Sequence, residues 1–225
     1  RYVFAYAEPQ SRFDLFDVKC SATLDGDNYI INGFKSVVFG AGMATHLIIS
    51  ARTEGDQRSK SGITLFLVDI KSDGITLQNY PTIDEYRASE VVIENLSVSK
   101  ENILGELGNS YEAIEEQVDL STIAICSEAV GILQVLKDST NDYCKNRKQF
   151  GQPIGANQAI QHRLVDMMIE YEQAKSILYM AITADLSNPD ERRKAASAAK
   201  ARIGKAIKFV GENAIQLHGG MGVVD

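Results

Sequence analysis

The stretch of residues 147–164, RKQFGQPIGANQAIQHRL, most constrains how this chain can fold. A pattern of helical period runs into Arg147 and breaks at Gly151-Gln152-Pro153, because proline lacks the amide donor that continues a helix. A second helical pattern starts at Asn157 or Gln158. The sequence therefore predicts two long helices joined by a tight break that carries a guanidinium, an aromatic ring and free backbone amides.

Two interpretations of Arg147 follow from the chemistry of its side chain. A guanidinium offers a planar set of donors that matches phosphate oxygens, and the N-terminus of the following helix favours anions. The break would then bind an anion, and Lys145 and Lys148 would add positive charge to the site. In the other interpretation, Arg147 only caps the carbonyls of the preceding helix at an ordinary helix corner.

Residues 1–106 have the pattern of a β domain, in which short apolar runs alternate with turns. A polar loop at 54–61 separates two of these runs, and Asn32-Gly33 predicts a further turn. Regularly spaced short strands predict a small barrel or sandwich. The predicted strands lie at residues 18–23, 29–31, 46–52, 62–69, 75–78 and 89–93.

Residues 107–225 change to a helical period. Residues 111–147 predict one long helix or two in series, residues 158–186 predict another, and Pro189 stands near the start of a further helix that Gly219-Gly220 ends. The half is therefore an all-α bundle of three or four long helices, and the whole chain is predicted to be an α+β multidomain protein. The predicted buried faces comprise Ile160, Leu164, Met167, Met168, Tyr171, Leu178 and Ala181, then Ile203, Ala206, Ile207 and Val210.

Composition excludes several classes of function. The net charge of −7 argues against a nucleic-acid surface. No apolar run approaches the roughly 20 residues needed to span a membrane. The three cysteines are far apart, so they indicate reduced thiols in a cytoplasmic protein rather than a disulfide framework. The three histidines lack the spacing of metal ligands, and we expect no metal site.

Three blocks of sequence resemble the acyl-CoA dehydrogenase flavoprotein family, in the order that the family has them. They are Ala7-Glu8-Pro9 with Gly33-Phe34-Lys35, then RKQFGQPI…QAIQHRLVDM, then QLHGGMG at 216–222. The segments RYVFAYAEPQSRFDL, LQNYPTID and QLHGGMGVVD are most similar to members like the pimeloyl-CoA dehydrogenase small subunits. The resemblance implies the family's middle β domain and C-terminal helical domain, in a fragment without the N-terminal helical domain and the C-terminal end.

The resemblance also implies a cofactor, FAD, and residues that contact it. Arg147 would reach across a subunit interface to the FAD pyrophosphate, and Phe150 would pack beside it. Gln216, Gly219 and Gly220 would lie near the adenosine, where the absence of a Cβ lets the backbone approach closely.

On the flavin side, this sequence departs from the family. Ala7 stands where a Thr is usual, Phe13 where a Ser is usual, and Val37 and Phe39 where a Trp and a Thr are usual. Backbone amides could bind the flavin at Ala7 and Phe39, because they do not depend on the side chain. Phe39 would cover one face of the flavin.

No catalytic base can be assigned within the chain. The resemblance places the usual Glu beyond Asp225, and an alternative family position corresponds to Ser121, whose hydroxyl is too weak an acid to act unaided. Asp119 and Glu128 are the nearest carboxylates. The basic run at 192–194 would meet CoA phosphates or form a solvated helix start.

The resemblance implies an acyl-CoA dehydrogenase that desaturates the α,β bond of an acyl-CoA thioester in fatty acid β-oxidation and passes electrons to an electron-transfer flavoprotein. It implies homo- or hetero-oligomers, most simply a dimer of dimers. One alternative is a non-catalytic structural subunit of a hetero-oligomeric acyl-CoA dehydrogenase. Another is a related flavoprotein oxidase or monooxygenase. The fold alone does not choose among them.

Overall fold

The computed structural model describes residues 1–224 and divides the chain into two units, Arg1–Glu115 and the part from Glu116 onward. Strands fill the first unit, and long helices fill the second, apart from the short hairpin of β9 Lys148–Gln149 and β10 Gln152–Pro153. The strands of the first unit are β1 Tyr2–Ala5, β2 Ser21–Asp25, β3 Asn28–Phe39, β4 His46–Arg52, β5 Ile63–Asp69, β6 Ile75–Pro81, β7 Arg87–Ser99 and β8 Ile103–Leu104.

The eight strands of the first unit form one mixed sheet. Neighbouring strands follow the order β6-β7-β3-β2-β4-β5-β8, and β1 pairs in parallel with β4. Because successive side chains of a strand point to opposite faces, alternate apolar residues enter a shared core. The largest apolar side chains buried there are Ile31, Leu47, Ile49, Ile63, Phe66, Ile93 and Leu96.

The prediction of a turn at Asn32-Gly33 is wrong. Both residues lie inside β3, where the register with β7 shifts between Ile31 and Gly33. The Asn32 side-chain oxygen accepts a hydrogen bond of 2.7 Å from the Asn95 amide. A Cβ on Gly33 would lie 2.6 Å from Cys20 Sγ, so only glycine fits. The pair forms a β-bulge, because strand pairing continues on both sides of it.

Arg52, the last residue of β4, fastens two loops of the first unit. Its side chain is buried, and its guanidinium donates hydrogen bonds to six backbone carbonyls. The acceptors belong to residues 16 and 18 on one loop and 54–61 on the other, and none of the six is charged. The donor–acceptor distances range from 2.9 to 3.4 Å, to Phe16, Val18, Glu54, Gln57, Ser59 and Ser61.

Three long helices follow: α1 Tyr111–Asn146, α2 Gln158–Thr183 and α3 Pro189–His218. The start of α3 follows from its sequence, because the Asn188 side chain accepts from the amides of Asp190 and Glu191 and Pro189 occupies the first turn. A β-sheet unit followed by a helical unit confirms the predicted fold class.

The predicted helix faces are confirmed except at Met168. Met167 is fully buried, whereas Met168 is 54% exposed, because adjacent helical residues are about 100° apart around the axis. The core of the second unit includes Cys126, Leu133, Met167, Tyr171, Leu178, Ile203, Ala206, Val210 and Leu217.

Helix α1 is the one helix among residues 1–224 long and apolar enough, by length and composition, to cross a membrane. The sequence prediction concerned uninterrupted apolar runs, and α1 has none of about 20 residues, because Asp119 and Glu128 interrupt its apolar stretch. Core helices of water-soluble proteins pass the same test. One face of α1 packs into the core of the second unit through Ile123, Cys126, Val130 and Leu133.

Candidate functional site

The break between α1 and α2 is a β-hairpin. Strands β9 and β10 pair Lys148 with Pro153 and Gln149 with Gln152, which leaves Phe150 and Gly151 at the tip. Both tip residues have positive φ, 52° and 84°, as a type I′ turn requires. Phe150 is fully exposed. A non-glycine residue in this conformation costs about 1–2 kcal/mol, so the tip is strained.

Arg147 stands between α1 and this hairpin, and its side chain is exposed. Its amide donates to the Tyr143 carbonyl at 2.8 Å, and its carbonyl accepts from the Ile154 amide at 2.9 Å. Within residues 1–224, the guanidinium itself has no hydrogen-bond or ion-pair partner. The interpretation of Arg147 as a cap for helix carbonyls is therefore wrong, and the cation is free to meet an anion.

A groove of 470 Å³ lies beside the hairpin in the second unit. Its polar wall includes Lys145 and Gln161, and the Gln161 amide donates to the Gly155 carbonyl at 3.0 Å. Lys145 is exposed, as is Lys148 on the hairpin. The three predicted cations thus lie at exposed positions within four residues, from the last turn of α1 to the start of the hairpin, which gives this corner a positive charge.

The other predicted adenosine-side residues lie at the end of α3. Gln216 and Gly220 are exposed, and Gly219 caps the helix with φ of 60° while its amide donates to the Gln216 carbonyl. The prediction that Gly219-Gly220 ends the helix is confirmed. A glycine cap and a cofactor contact are compatible, because the cap uses only backbone groups.

The ends of α1 and α3 are joined by an aromatic contact. The rings of Tyr143 and His218 stack at 4.3 Å, and Tyr143 Oη donates to the His218 carbonyl at 3.4 Å. Tyr143 precedes Arg147 by one helical turn, so the contact brings the second and third sequence blocks together. The sequence alone does not point to Tyr143, because a contact between residues so far apart in sequence leaves no periodic signal.

The flavin-side residues line a cleft of 490 Å³ in the first unit. Ala7 and Phe39 both belong to its wall, whereas Phe13 does not and is 97% exposed. The wall is mainly apolar and aromatic, and its backbone is bulged at Val37, where φ is 53°. The complete lining is Tyr2, Val3, Phe4, Tyr6, Ala7, Ser36, Val37, Val38 and Phe39.

The carboxylates near the alternative base position differ in their surroundings. Asp119 Oδ2 lies 3.1 Å from the buried Arg192 Nε, so this carboxylate is occupied by an ion pair. Glu128 is exposed, and Ser121 is exposed and accepts from the Gln117 side chain at 3.2 Å. The suggestion that Arg192 meets CoA phosphates or solvent is wrong, because the residue is buried.

The three cysteines are free and buried. Burial raises the pKa of the Cys20 thiol from 9.0 to about 11, and it also raises the pKa of Cys126 and Cys144. None of these thiols is activated as a nucleophile. The described residues contain no group of three or more His, Cys, Asp or Glu side chains suited to a metal ion.

Comparison with known proteins establishes the family. A profile described as the middle domain of acyl-CoA dehydrogenase matches residues 3–96, and one described as the C-terminal domain of acyl-CoA dehydrogenase matches residues 111–225. The chain belongs to the acyl-CoA dehydrogenase family. The two profiles follow each other in the order that the sequence blocks predicted.

Three curated relatives show how this chain compares with longer proteins. It is 33% identical over 224 residues to a 3-(aryl)acrylate reductase of Clostridium sporogenes, covering 98% of the chain and 59% of the relative. It is 30% identical to a caffeyl-CoA reductase-Etf complex subunit, CarC, of Acetobacterium woodii, covering 100% and 59%. It is 31% identical to the human mitochondrial short-chain specific acyl-CoA dehydrogenase, covering 98% and 54%. The chain thus spans between half and two thirds of these relatives' length.

Solved structures of other proteins have the same fold as this chain. The prolyl acyl carrier protein oxidase AnaB matches with a TM-score of 0.92 and 30% identity, over 99% of the chain and 59% of that protein. An FAD-dependent dehydrogenase matches with a TM-score of 0.91 and 26% identity, over 100% and 61%.

Proposed function

We propose that the chain supplies the middle and C-terminal domains of an FAD-dependent acyl-CoA dehydrogenase. Residues 1–106 form the domain on the flavin and acyl-CoA side, and residues 107–225 form the helical domain. The reaction removes a proton from Cα and a hydride from Cβ of an acyl-CoA thioester. The observation that carries the proposal is the match of both family domains. The Arg147 guanidinium, which has no side-chain partner among residues 1–224, supports it.

The described residues fit FAD in two places. In the second unit, Arg147 holds the pyrophosphate of a cofactor that is shared across a subunit interface, and Phe150 packs beside it. Gln216, Gly219 and Gly220 meet the adenosine. A planar guanidinium free of protein partners suits a diphosphate.

In the first unit, the cleft lined by Ala7 and Phe39 takes the flavin ring, which supplies the hydride acceptor when bound. The apolar wall excludes water from the ring. With Ala7 in place of a hydroxyl side chain, hydrogen bonds to the ring come from backbone groups of the wall.

The base is neither Asp119, which is held by Arg192, nor Ser121, which carries no carboxylate. The same observation favours a second candidate function, a non-catalytic subunit that completes a partner's cofactor site. An oxidase is a third candidate, which the likeness to the prolyl acyl carrier protein oxidase supports.

We propose that electrons are exchanged with an electron-transfer flavoprotein, as the name of the caffeyl-CoA reductase-Etf relative suggests. Oligomers, homomeric or heteromeric, form through the helical unit. Support comes from apolar side chains exposed on α1 and α2, namely Ile125, Ile132, Val135, Val165, Met168 and Ile169. Exposed apolar side chains along two long helices provide surface on which another subunit can pack. The buried reduced thiols fit a cytoplasmic location.

Purification with excess FAD tests the cofactor, and anaerobic addition of acyl-CoA thioesters tests the reaction. An acyl-CoA dehydrogenase retains a flavin absorption spectrum and bleaches with substrate. A yellow protein that no acyl-CoA thioester bleaches contradicts the dehydrogenase and favours the partner subunit. Hydrogen peroxide produced in air during turnover identifies the oxidase instead.

A further inference from the structure

A buried ion pair stands directly behind the cleft of the first unit. Lys35 Nζ lies 2.6 Å from Glu8 Oε1, and the two side chains are 0% and 2% exposed. Lys35 also donates to Ser50 Oγ at 3.0 Å. Removing two charges from water costs as much as their attraction returns, so a buried pair is weak evidence for stability. The stability of the fold therefore does not explain why this ion pair is buried, and we consider a role in the cleft.

Each member of the pair adjoins a residue of the cleft wall. Ala7 precedes Glu8, Ser36 follows Lys35, and the Ser36 amide donates to the Ala7 carbonyl at 2.9 Å. The ion pair and this backbone hydrogen bond thus join the same two segments side by side. Neither Glu8 nor Lys35 lines the cleft itself.

The Glu8 carboxylate also binds the segment that leads into β2. It accepts hydrogen bonds from the amides of Lys19 at 2.8 Å and Cys20 at 3.2 Å, and from the Gln10 side chain at 2.8 Å. With Lys35, these donors fix the carboxylate from several directions, so the segment that carries Ala7 is held in a single position.

The other segment contains the bulge of β3. The register with β7 shifts between Lys35 and Val38, and Val37 adopts a φ of 53°. A β-branched residue in this region is a genuine outlier, and such strain persists only where the surroundings fix it. The buried Lys35 fixes one side of the bulge and the buried Val38 the other.

We propose that Glu8 and Lys35 are positioning residues, which act through Ala7, Ser36 and Val37 to hold the wall that faces the flavin ring. The inference rests on the proposed function, since it takes the flavin to bind in this cleft. Loosening the pair moves the backbone groups of the wall without removing any group that touches the cofactor.

The double variant Glu8→Gln/Lys35→Met tests the proposal, because it removes both charges together and leaves no unpaired buried charge. We expect FAD to bind about tenfold to a hundredfold more weakly, as small displacements at a site cause. We also expect the flavin absorption bands and midpoint potential of the bound fraction to shift. The matched control is Asp119→Asn/Arg192→Met, which removes a buried ion pair of the second unit and should leave both the bands and the potential unchanged.

The outcomes separate this inference from the proposed function. A wild-type protein that stays colourless with excess FAD overturns both. A wild-type protein that binds FAD, beside a double variant with the same dissociation constant, bands and potential, overturns this inference alone. If the double variant does not fold, Glu8→Asp replaces it, since it keeps the charge but withdraws the carboxylate by one methylene. An unchanged FAD dissociation constant and spectrum in Glu8→Asp then overturns the inference.

Discussion

Phe150 shows how a single residue can oppose its own local structure. A type I′ turn favours Asn-Gly, because both central residues need positive φ. The chain has Phe150-Gly151 there, with the aromatic ring fully exposed to solvent. Strain combined with exposure at one residue is typical of a site retained for binding.

Replacement of Phe150 by asparagine should raise the free energy of unfolding by about 1 kcal/mol, since asparagine tolerates the left-handed region better. The same variant should lose bound FAD on gel filtration. Phe150→Ala is the control, because alanine removes the ring but stays strained. Denaturant unfolding measures the first effect and flavin content the second. An asparagine variant no more stable than the alanine variant would contradict the assignment of strain.

Cys20 predicts a pH dependence of stability. Burial raises the pKa of its thiol from 9.0 in the unfolded chain to about 11 in the folded protein. Between these values the folded protein holds a proton that the unfolded chain has released, so its stability falls as pH rises. The contribution is present below pH 9, and about 2 kcal/mol of it is lost by pH 11. Unfolding measured across this window should show a shallower decline for Cys20→Ala than for the wild type. Parallel curves would contradict the prediction.

At the scale of elements, local signals in the sequence decided what could be predicted. The run of apolar residues predicts strand β4. Pro189 and Gly219 predict ends of the long helices. Each of these signals acts within a few residues. The sequence predicts a turn at Asn32-Gly33 where the structure has a bulge, because both use the same residues and differ only in whether the strand pairing continues. The break after α1 was predicted, but its hairpin was not, since two-residue strands have no period.

The candidate site divides in the same way. The exposed positions of Arg147 and Phe150 follow from the break between two helices that the sequence predicts. The stacking of Tyr143 on His218 and the cleft around Ala7 depend on contacts across long stretches of chain, which no local pattern records. The resemblance to the family indicates which residues belong to the candidate site. Only the folded structure shows what surrounds each of them.

The start of α3 gives a test at the scale of an element. The Asn188 side chain accepts hydrogen bonds of 3.0 and 3.4 Å from amides of the first turn. Asn188→Ala should lower the free energy of unfolding by about 1 kcal/mol, as lost N-caps do. Asn157 occupies the equivalent position before α2 but makes no such bond, so Asn157→Ala should have a smaller effect. Equal losses in thermal unfolding would argue against capping as the cause.

At the scale of the whole molecule, a change at Arg147 should affect cofactor binding without affecting folding. Because Arg147 has no side-chain partner within residues 1–224, Arg147→Ala should change the melting temperature by less than about 2 °C. FAD affinity should nevertheless fall by about tenfold or more, as the loss of a charge-assisted contact predicts. Lys148→Ala removes the same charge from the adjacent residue and should have a smaller effect on affinity. Flavin titration and differential scanning calorimetry check the two halves, and equal affinities in both variants would contradict the role of Arg147.

The carbonyls around Arg52 have a consequence for how the molecule responds to its medium. Salt screens the attraction between exposed charges, so high ionic strength weakens the surface ion pair of Arg58 and Asp14. It has a smaller effect on the buried guanidinium of Arg52, whose hydrogen bonds all go to neutral carbonyl oxygens. The loops at 16–18 and 54–61 therefore stay bound to Arg52 at ionic strengths that disrupt the surface ion pair. A lysine could not replace Arg52, because its single ammonium group lacks the spread donors of the guanidinium that bind both loops.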